Sequence, residues 1–348
     1  TMTLFDRLRL LWAGLTRGGS HGFAVARMVH RRFHGNGSKI IGWHKGCPSL
    51  TLMAPPTLSA PVANSLATRL MALYQGRPLP ESVDIAVTDR CQCSCAHCSM
   101  EGMRKDARAL DGAELRETIR QAQDLGVATV NFVGGEPLLR DDLCELIRAV
   151  DPERSQTILF TNGWLLRERA RSLAAAGLTS VIASIDAPTA AEHDRIRGVS
   201  GLFDRAVAGI REARATGMLT GLSTIIGGEA FKAGRLDDMM HLARRLKVNE
   251  VIMFQAVPNG KGSCKRHLEG PGLDLDALRA AVERYAADGD YPGLYAYPYV
   301  SSHLGLGCAG GVAYFYVSPY GDVCPCDFRP DSVGSVREAP LHVLWDRL

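Results

Sequence analysis

From about residue 82, short apolar runs rich in β-branched residues alternate with longer segments of helical period. Strands that alternate with helices predict a parallel sheet with right-handed crossovers. Six such units are too few to close an eight-stranded barrel, so we predict a partial (βα)6 barrel. The predicted strands are residues 83–88, 128–135, 156–161, 179–184, 221–226 and 250–255, and helical period is clearest at 113–126, 143–150, 167–177 and 236–246.

The pattern changes after residue 256. A Gly-rich loop and a helical segment at 273–288 precede residues 312–326, which predict a β-hairpin around the turn SPYGD. At the other end, three prolines in residues 54–61 separate the start of the chain from the barrel. We therefore predict an α/β fold in three parts: a basic helical N-terminal extension at 1–80, the partial barrel at 81–260 and a small C-terminal hairpin extension at 261–348.

Charge is distributed unevenly along the chain. The first fifty residues hold eight Lys or Arg and one acid, Asp6, a net charge of +7, whereas the remaining 298 residues carry −4. Leu4, Leu8, Leu11 and Leu15 lie at helical spacing among these charges. The pattern is typical either of a helix that caps one end of the barrel, which we favour, or of a basic amphipathic helix on an anionic membrane surface or an acidic partner. Nothing in the sequence indicates nucleic-acid binding.

Four of the ten cysteines lie between residues 91 and 98. No signal peptide is recognisable, and the apolar run LLWAGL is too short to span a bilayer. We therefore expect a cytoplasmic protein, with peripheral membrane contact as the alternative that the basic segment leaves open. Disulfides are rare in that compartment, so the cysteines are interpreted as metal ligands, catalytic thiols or core residues.

Cys91, Cys95 and Cys98 form a C-x3-C-x2-C pattern directly after the first predicted strand. A loop of this length lets three thiolates bind three irons of a [4Fe–4S] cluster and leaves the fourth iron open. Cys93 lies between two ligands and is expected to point away from the cluster. The alternatives are chance clustering and a zinc site, although four-cysteine zinc sites prefer two separate C-x2-C pairs.

Together with the motif GGEP at residues 134–137, this cysteine pattern resembles the radical S-adenosylmethionine (SAM) superfamily over residues 83–260. The resemblance implies that the cluster and SAM generate a 5′-deoxyadenosyl radical, which abstracts hydrogen from an unactivated C–H bond. It also implies an electron donor such as flavodoxin or ferredoxin. The GGEP segment, Gly134, Gly135, Glu136 and Pro137, would bind the amino group of SAM, with Glu136 near the ammonium.

Three further SAM contacts follow from the resemblance. Ser184, in the segment SIDAPTAAEHDRIRG, would contact the ribose or the carboxylate of SAM. Arg197 would pair with that carboxylate, and Arg195 is the alternative because the spacing is one residue longer than expected. Asn162, in FTNG, would contact the adenosyl group, although Asn-Gly is also ordinary turn chemistry.

Cys308, Gly321 and Cys326 resemble the opening C-x12-G-x4-C of the SPASM and twitch extensions, which hold auxiliary iron–sulfur clusters. Cys324 is placed to turn towards the same cluster, and Cys264 is the least secure ligand. No cysteine follows Cys326, which favours a shorter, twitch-like extension with one auxiliary [4Fe–4S] cluster. Structural zinc is the alternative.

The sequence therefore predicts a radical SAM enzyme that modifies a peptide or a small-molecule natural product by cross-linking, oxidation or epimerisation. A peptide substrate has less support here because the N-terminal segment lacks the strand pattern of a leader-peptide-binding domain. A lipid or membrane-associated substrate is the first alternative. An alternative of a different class is a non-catalytic zinc or iron–sulfur protein.

Overall fold

A computed structural model describes residues 39–100, 107–256, 272–329 and 331–348. The predicted helix that carries Leu4 to Leu15 and the predicted ligand Cys264 both lie outside the described residues.

The main sheet has nine strands in the order β11-β10-β3-β4-β5-β6-β7-β8-β9, and all neighbouring strands are parallel except β10 and β11. The six predicted strands are confirmed as β3 to β8, so the sheet has the order of a partial barrel. The strands are β3 (Ser82–Ala86), β4 (Thr129–Val133), β5 (Gln156–Thr161), β6 (Ser180–Ser184), β7 (Leu219–Ile225), β8 (Glu250–Phe254), β9 (Gly293–Ala296), β10 (Tyr314–Val317) and β11 (Val323–Cys324).

Helices connect the strands, and their apolar faces pack on the sheet in one continuous core. None of the described helices is both long and apolar enough to cross a membrane. They are α1 (Ala60–Gln75), α2 (Gly112–Asp124), α3 (Leu143–Arg148), α4 (Leu166–Ala176), α5 (Ala190–Arg197), α6 (Leu202–Ala215), α7 (Gly228–Lys232), α8 (Arg235–Leu246), α9 (Leu275–Ala287), α10 (Tyr297–Val300) and α11 (Leu341–Trp345), with a 3-10 turn at Pro137–Leu139.

The predicted C-terminal hairpin is present as β10 and β11, with Tyr316 opposite Cys324. In addition, β10 runs parallel to β3 and extends the sheet beyond the first barrel strand. At the far edge β9, which the sequence pattern did not predict, pairs with β8. The C-terminal segment is therefore hydrogen-bonded to both edges of the predicted barrel.

Residues 39–57 close the barrel at the amino ends of its strands. This segment contains the short hairpin β1 (Gly42–His44) and β2 (Cys47–Ser49), where a helical extension had been predicted. Leu52 is 1% exposed and packs in a cluster with Ile158, Ile182 and Ile252. The backbone N–H of Leu52 donates to Glu250 Oε2 over 2.7 Å, and the Thr51 hydroxyl donates to the same oxygen.

Glu250 makes the stability of this cap depend on pH. Burial raises its pKa from an ordinary 4.5 to about 8, against the opposing effect of the bonds from Leu52 and Thr51. The folded state therefore retains a proton that the unfolded chain loses near its ordinary pKa, so stability falls as pH rises between the two values. Glu250→Gln keeps the acceptor oxygen and cannot ionise. We expect its free energy of unfolding, measured with urea, to increase relative to the native protein between about pH 5 and about pH 8. If the difference in unfolding free energy between the variant and the native protein did not change with pH, the raised pKa of Glu250 would be wrong.

Candidate active site

A cavity of about 390 Å³ opens at the carboxyl ends of the strands, where parallel α/β sheets place functional residues. Cys91 follows β3, Asn162 follows β5, Ser184 ends β6 and Gln255 follows β8, and all four line the cavity. Met53 of the cap also lines it. The sheet and its cap thus enclose a space large enough for a small-molecule cofactor.

The cysteine loop forms one wall of this cavity, with Cys91, Cys93, Cys95 and Cys98 all on the lining. The last turn of α5 holds the loop in place. The backbone N–H of Ser94 donates to the Arg197 carbonyl over 3.0 Å, and that of Ala96 donates to the Ile196 carbonyl over 3.1 Å. The loop conformation is therefore fixed by backbone contacts as well as by its own cysteines.

The sequence predicted that Cys93 points away from the cluster, but in the structure Cys93 lines the same cavity as Cys91 and Cys95. Its thiol donates to the sulfurs of Cys91 and Cys95. These bonds lower the pKa of Cys91 and that of Cys95 to about 7, and nearby Arg197 adds to the effect on Cys95.

The donor set of this loop fits an iron–sulfur cluster, which is held by cysteine thiolates. Cys91, Cys95 and Cys98 offer soft thiolates on a cavity wall, which suits such a cluster.

Gly134 and Gly135 allow close approach to the backbone that precedes the cysteine loop. A Cβ on Gly134 would lie 2.4 Å from the Thr88 carbonyl oxygen, and a Cβ on Gly135 would lie 2.3 Å from that of Arg90. The N–H of Gly135 donates to the Thr88 carbonyl and the N–H of Glu136 to the Arg90 carbonyl, each over 2.7 Å. The two glycines therefore help to position the cysteine loop, and they also line the cavity.

Gly135→Ala should lower the amount of cluster that the protein holds. The added methyl group would collide with the Arg90 backbone, which can yield only by moving the loop that carries Cys91. Gly227→Ala is the matched control, because a Cβ there meets nothing within 4 Å and the residue has a φ of −84°. Iron per chain after anaerobic reconstitution should fall in the first variant and stay at the native value in the second. Equal iron content in both would show that the close approach does not position the loop.

Glu136 is fully buried, and neither it nor Pro137 lines the cavity, contrary to the predicted SAM contact. The Glu136 carboxylate accepts from the Thr161 hydroxyl and the Asn162 N–H, each over 2.7 Å, and from the Leu138 N–H over 3.0 Å. Burial raises its pKa despite these bonds. Because these bonds hold its carboxylate at the end of β5, Glu136 positions Asn162.

Asn162 and Ser184 line the cavity, as predicted. The Asn162 amide lies against the cysteine loop: its Nδ2 is 3.8 Å from Cys91 Sγ, and its Oδ1 accepts from Gln92 Nε2 over 3.1 Å. Ser184 Oγ lies 3.0 Å from Ser223 Oγ at the ends of two adjacent strands. The ends of β5 and β6 therefore present polar groups beside the thiols.

Arg197 is the arginine of α5 that reaches the cavity, whereas Arg195 is exposed. Its Nε donates to Asp186 Oδ2 over 2.7 Å, and its Nη1 lies 3.8 Å from Cys95 Sγ. Burial alone would raise the pKa of Asp186, but the charge and hydrogen bond of Arg197 together with His97, 3.6 Å away, lower it. Asp186, which sequence reasoning missed, therefore orients Arg197 between the loop and the cavity.

The C-terminal cysteines fall into two groups. A Cβ on Gly310 would lie 3.7 Å from Cys308 Sγ and 3.6 Å from Cys326 Cβ, so Cys308 and Cys326 flank the same glycine. Cys324 is 3% exposed and packs instead with Ala86, Met100 and Tyr316, next to Cys98. The sequence predicted that Cys324 turns towards the same cluster as Cys308 and Cys326. In the structure Cys324 belongs to β11, and its side chain packs among these apolar residues instead.

The polar residues that line the cavity and were not predicted include Asp84, Asn131, Tyr314 and Asp327. Burial raises the pKa of Asp84 to about 8, and Asp327 adds to the shift. Burial likewise raises the pKa of Asp327 to about 6. The signal available in the sequence for Asp84 and Asn131 was that each is a polar residue in the middle of an apolar strand, SVDIA and TVNFV.

Known proteins resemble this chain in sequence and in fold. It is 33% identical over 277 residues to a PqqA peptide cyclase of Gluconobacter oxydans, which covers 77% of this chain and 76% of the relative. An AdoMet-dependent heme synthase of Nitratidesulfovibrio vulgaris is 26% identical, with 78% of this chain and 80% of the relative covered. The crystal structure of Streptococcus suis SuiB bound to the precursor peptide SuiA shares the fold, with a TM-score of 0.64, 18% identity and coverage of 80% of this chain and 67% of SuiB.

The family model for the radical SAM superfamily matches residues 85–243. That range begins in β3 and ends in α8, so it contains the cysteine loop, the GGEP segment, Asn162, Ser184 and Arg197. Members of this family carry a [4Fe–4S] cluster and SAM. With a relative above 30% identity over three quarters of both chains, this chain belongs to the radical SAM superfamily.

Proposed function

We propose that this enzyme abstracts a hydrogen atom from a peptide held in the cavity at the carboxyl ends of the barrel strands. The observation that carries the proposal is that one cavity is lined both by the cysteine loop and by residues of the C-terminal segment, including Tyr314 and Asp327. A substrate there would lie between the cluster loop and that segment. The peptide class is supported by the 33% identity to a PqqA peptide cyclase.

In this proposal Cys91, Cys95 and Cys98 hold the [4Fe–4S] cluster, and SAM occupies the adjoining cavity. When bound, the two supply an electron and a 5′-deoxyadenosyl radical that takes hydrogen from an unactivated C–H bond. Arg197 offers its remaining N–H groups to the SAM carboxylate while Asp186 fixes the guanidinium plane. Asn162, Ser184 and the backbone at Gly134 and Gly135 provide further polar contacts.

The protein also limits access by water. Met53 lies at the cap side of the cavity, and Phe254 and Tyr297 stack at 5.4 Å between ring centroids on its wall. Apolar walls of this kind protect a reactive radical from side reactions. A separate donor such as flavodoxin or ferredoxin supplies the electron in this proposal.

Cys308 and Cys326 are proposed to hold one auxiliary [4Fe–4S] cluster, as expected for a twitch-like extension at residues 261–348. Cys264, outside the described residues, is the proposed additional ligand. The support within the described chain is the position of both thiols beside Gly310. Asp327 follows Cys326 directly and lines the cavity, so such a cluster would be adjacent to the substrate space.

The proposal is tested by tracing hydrogen from the substrate. Reconstituted protein is given SAM, a reductant and a perdeuterated short peptide encoded beside its gene. Deuterium should then appear in 5′-deoxyadenosine, because hydrogen moves from the substrate carbon to the radical. If peptides transfer none while a deuterated porphyrin precursor does, a small-molecule substrate of the heme-synthase type replaces the peptide, consistent with the second relative.

A further inference from the structure

Part of the cavity wall carries two carboxylates that share a single hydroxyl. Asp84 on β3 and Asn131 on β4 are direct partners in the sheet, and Asn131 Nδ2 donates to Asp84 Oδ1 over 2.6 Å. The Tyr314 hydroxyl lies 3.2 Å from Asp84 Oδ2 and 3.0 Å from Asp327 Oδ1. A tyrosine has one hydroxyl hydrogen, so it bonds only one of these oxygens at a time.

The same site contains a buried acceptor without a donor. Asn131 is 3% exposed and lines the cavity, and its Oδ1 has no hydrogen-bond partner among the described residues. Leaving such an atom unsatisfied is costly, and most buried polar atoms in native structures have a partner. This orphaned acceptor, beside two carboxylates, indicates a ligand that brings several N–H donors.

No positive charge in the described ranges balances these carboxylates. Neither Asp84 nor Asp327 forms an ion pair with a described Lys, Arg or His, and the groups beside them are each other, tyrosines, Asn131 and Cys326, none of which is a cation. Tyr295 and Tyr297, with ring centroids 6.3 Å apart, line the same cavity. Aromatic faces beside carboxylates favour an organic cation over a hydrated metal ion.

We propose that Asp84, Asp327 and the Asn131 carbonyl bind a protonated amine or guanidinium group of the substrate. The inference rests on the proposed function and deepens it: the peptide carries a lysine, an arginine or a free amino terminus at the position that enters the cavity. Its N–H groups bond the carboxylates and Asn131 Oδ1, while its alkyl chain packs on the tyrosine rings. Tyr314 holds the two carboxylates together from behind.

The test measures binding without turnover. Reconstituted protein loaded with SAM, with no reductant, is titrated with n-butylammonium and with the neutral 1-pentanol, and dissociation constants are measured by NMR. The amine should bind at least about tenfold more tightly than the alcohol, as hydrogen bonds to charged groups require. Asp84→Asn keeps the shape and cannot ionise, so above about pH 8, where the native carboxyl is charged, it should reduce that preference about tenfold. Asp327→Asn removes the second charge and should also reduce the preference for the amine. The two variants are independent, so the inference can still be tested if one of them does not fold.

Two controls make the result specific. Glu250→Gln replaces another buried carboxyl group of the same barrel, outside the cavity, and should leave the preference unchanged. Gly227→Ala changes a residue outside the cavity lining and should likewise leave the preference unchanged. Equal binding of amine and alcohol, or a preference that survives both Asp variants, would overturn the inference. This binding measurement does not require SAM cleavage. A protein that failed to cleave SAM would therefore contradict the proposed function and not this inference.

Discussion

Replacement of Cys91, Cys95 or Cys98 by alanine should reduce SAM cleavage to the level of a reaction without protein. Each change removes one of three thiolates on the loop between β3 and α2, and a cluster with two protein ligands is not retained. The expected result is loss of brown colour, loss of iron and no 5′-deoxyadenosine under reductant. Iron content and product are measured on anaerobically reconstituted protein.

Cys93→Ala is the matched control, because it removes a thiol from the same loop. It deletes the hydrogen bonds to the Cys91 and Cys95 sulfurs, which the bound cluster would replace by iron. We therefore expect near-native iron content and SAM cleavage. Equal damage from all four substitutions would mean that the assignment of ligands within the loop is wrong.

The double substitution Cys308→Ala with Cys326→Ala should separate the two proposed clusters. Iron content should fall by roughly four atoms per chain, the content of one cubane. Uncoupled SAM cleavage should survive, since the cysteine loop is unchanged, whereas conversion of the substrate should fail. Iron analysis and product analysis on the same preparation measure both effects.

Cys144→Ala provides the control for this pair. Cys144 lies on α3 and packs against the apolar core, so its loss should change neither iron content nor substrate conversion. If the double variant kept all of its iron, Cys308 and Cys326 would be zinc ligands or thiols without a cluster.

The strands of the barrel were predictable because a strand that is buried on both faces has an almost continuous apolar sequence. Near-continuous apolar runs such as QTILFT identify parallel strands without knowledge of their neighbours. β9, with the sequence GLYA, is short, and its place beside β8 depends on contacts across some forty residues of chain. The parallel pairing of β10 with β3 is likewise set by tertiary packing and not by local period.

The cysteine loop and the GGEP segment were recognisable because their spacing is short and specific. Residues that act through position were harder to predict. Glu136 was expected to face SAM, but the local chain directs its carboxylate to Thr161 and Asn162. Asp84 and Asn131 each interrupt an apolar strand, and only the register of β3 and β4 shows that they are neighbours. Asp327 joins them from a segment that is 243 residues from Asp84 and 196 from Asn131 along the sequence.

The central claim is that Cys91, Cys95 and Cys98 support reductive cleavage of SAM. The most direct test quantifies 5′-deoxyadenosine and methionine formed by the anaerobically reconstituted protein with SAM and dithionite. The account predicts both products in equal amounts, with neither formed when the protein or the reductant is omitted. A protein that holds its full iron content and forms neither product would contradict the account and favour a non-catalytic iron–sulfur protein.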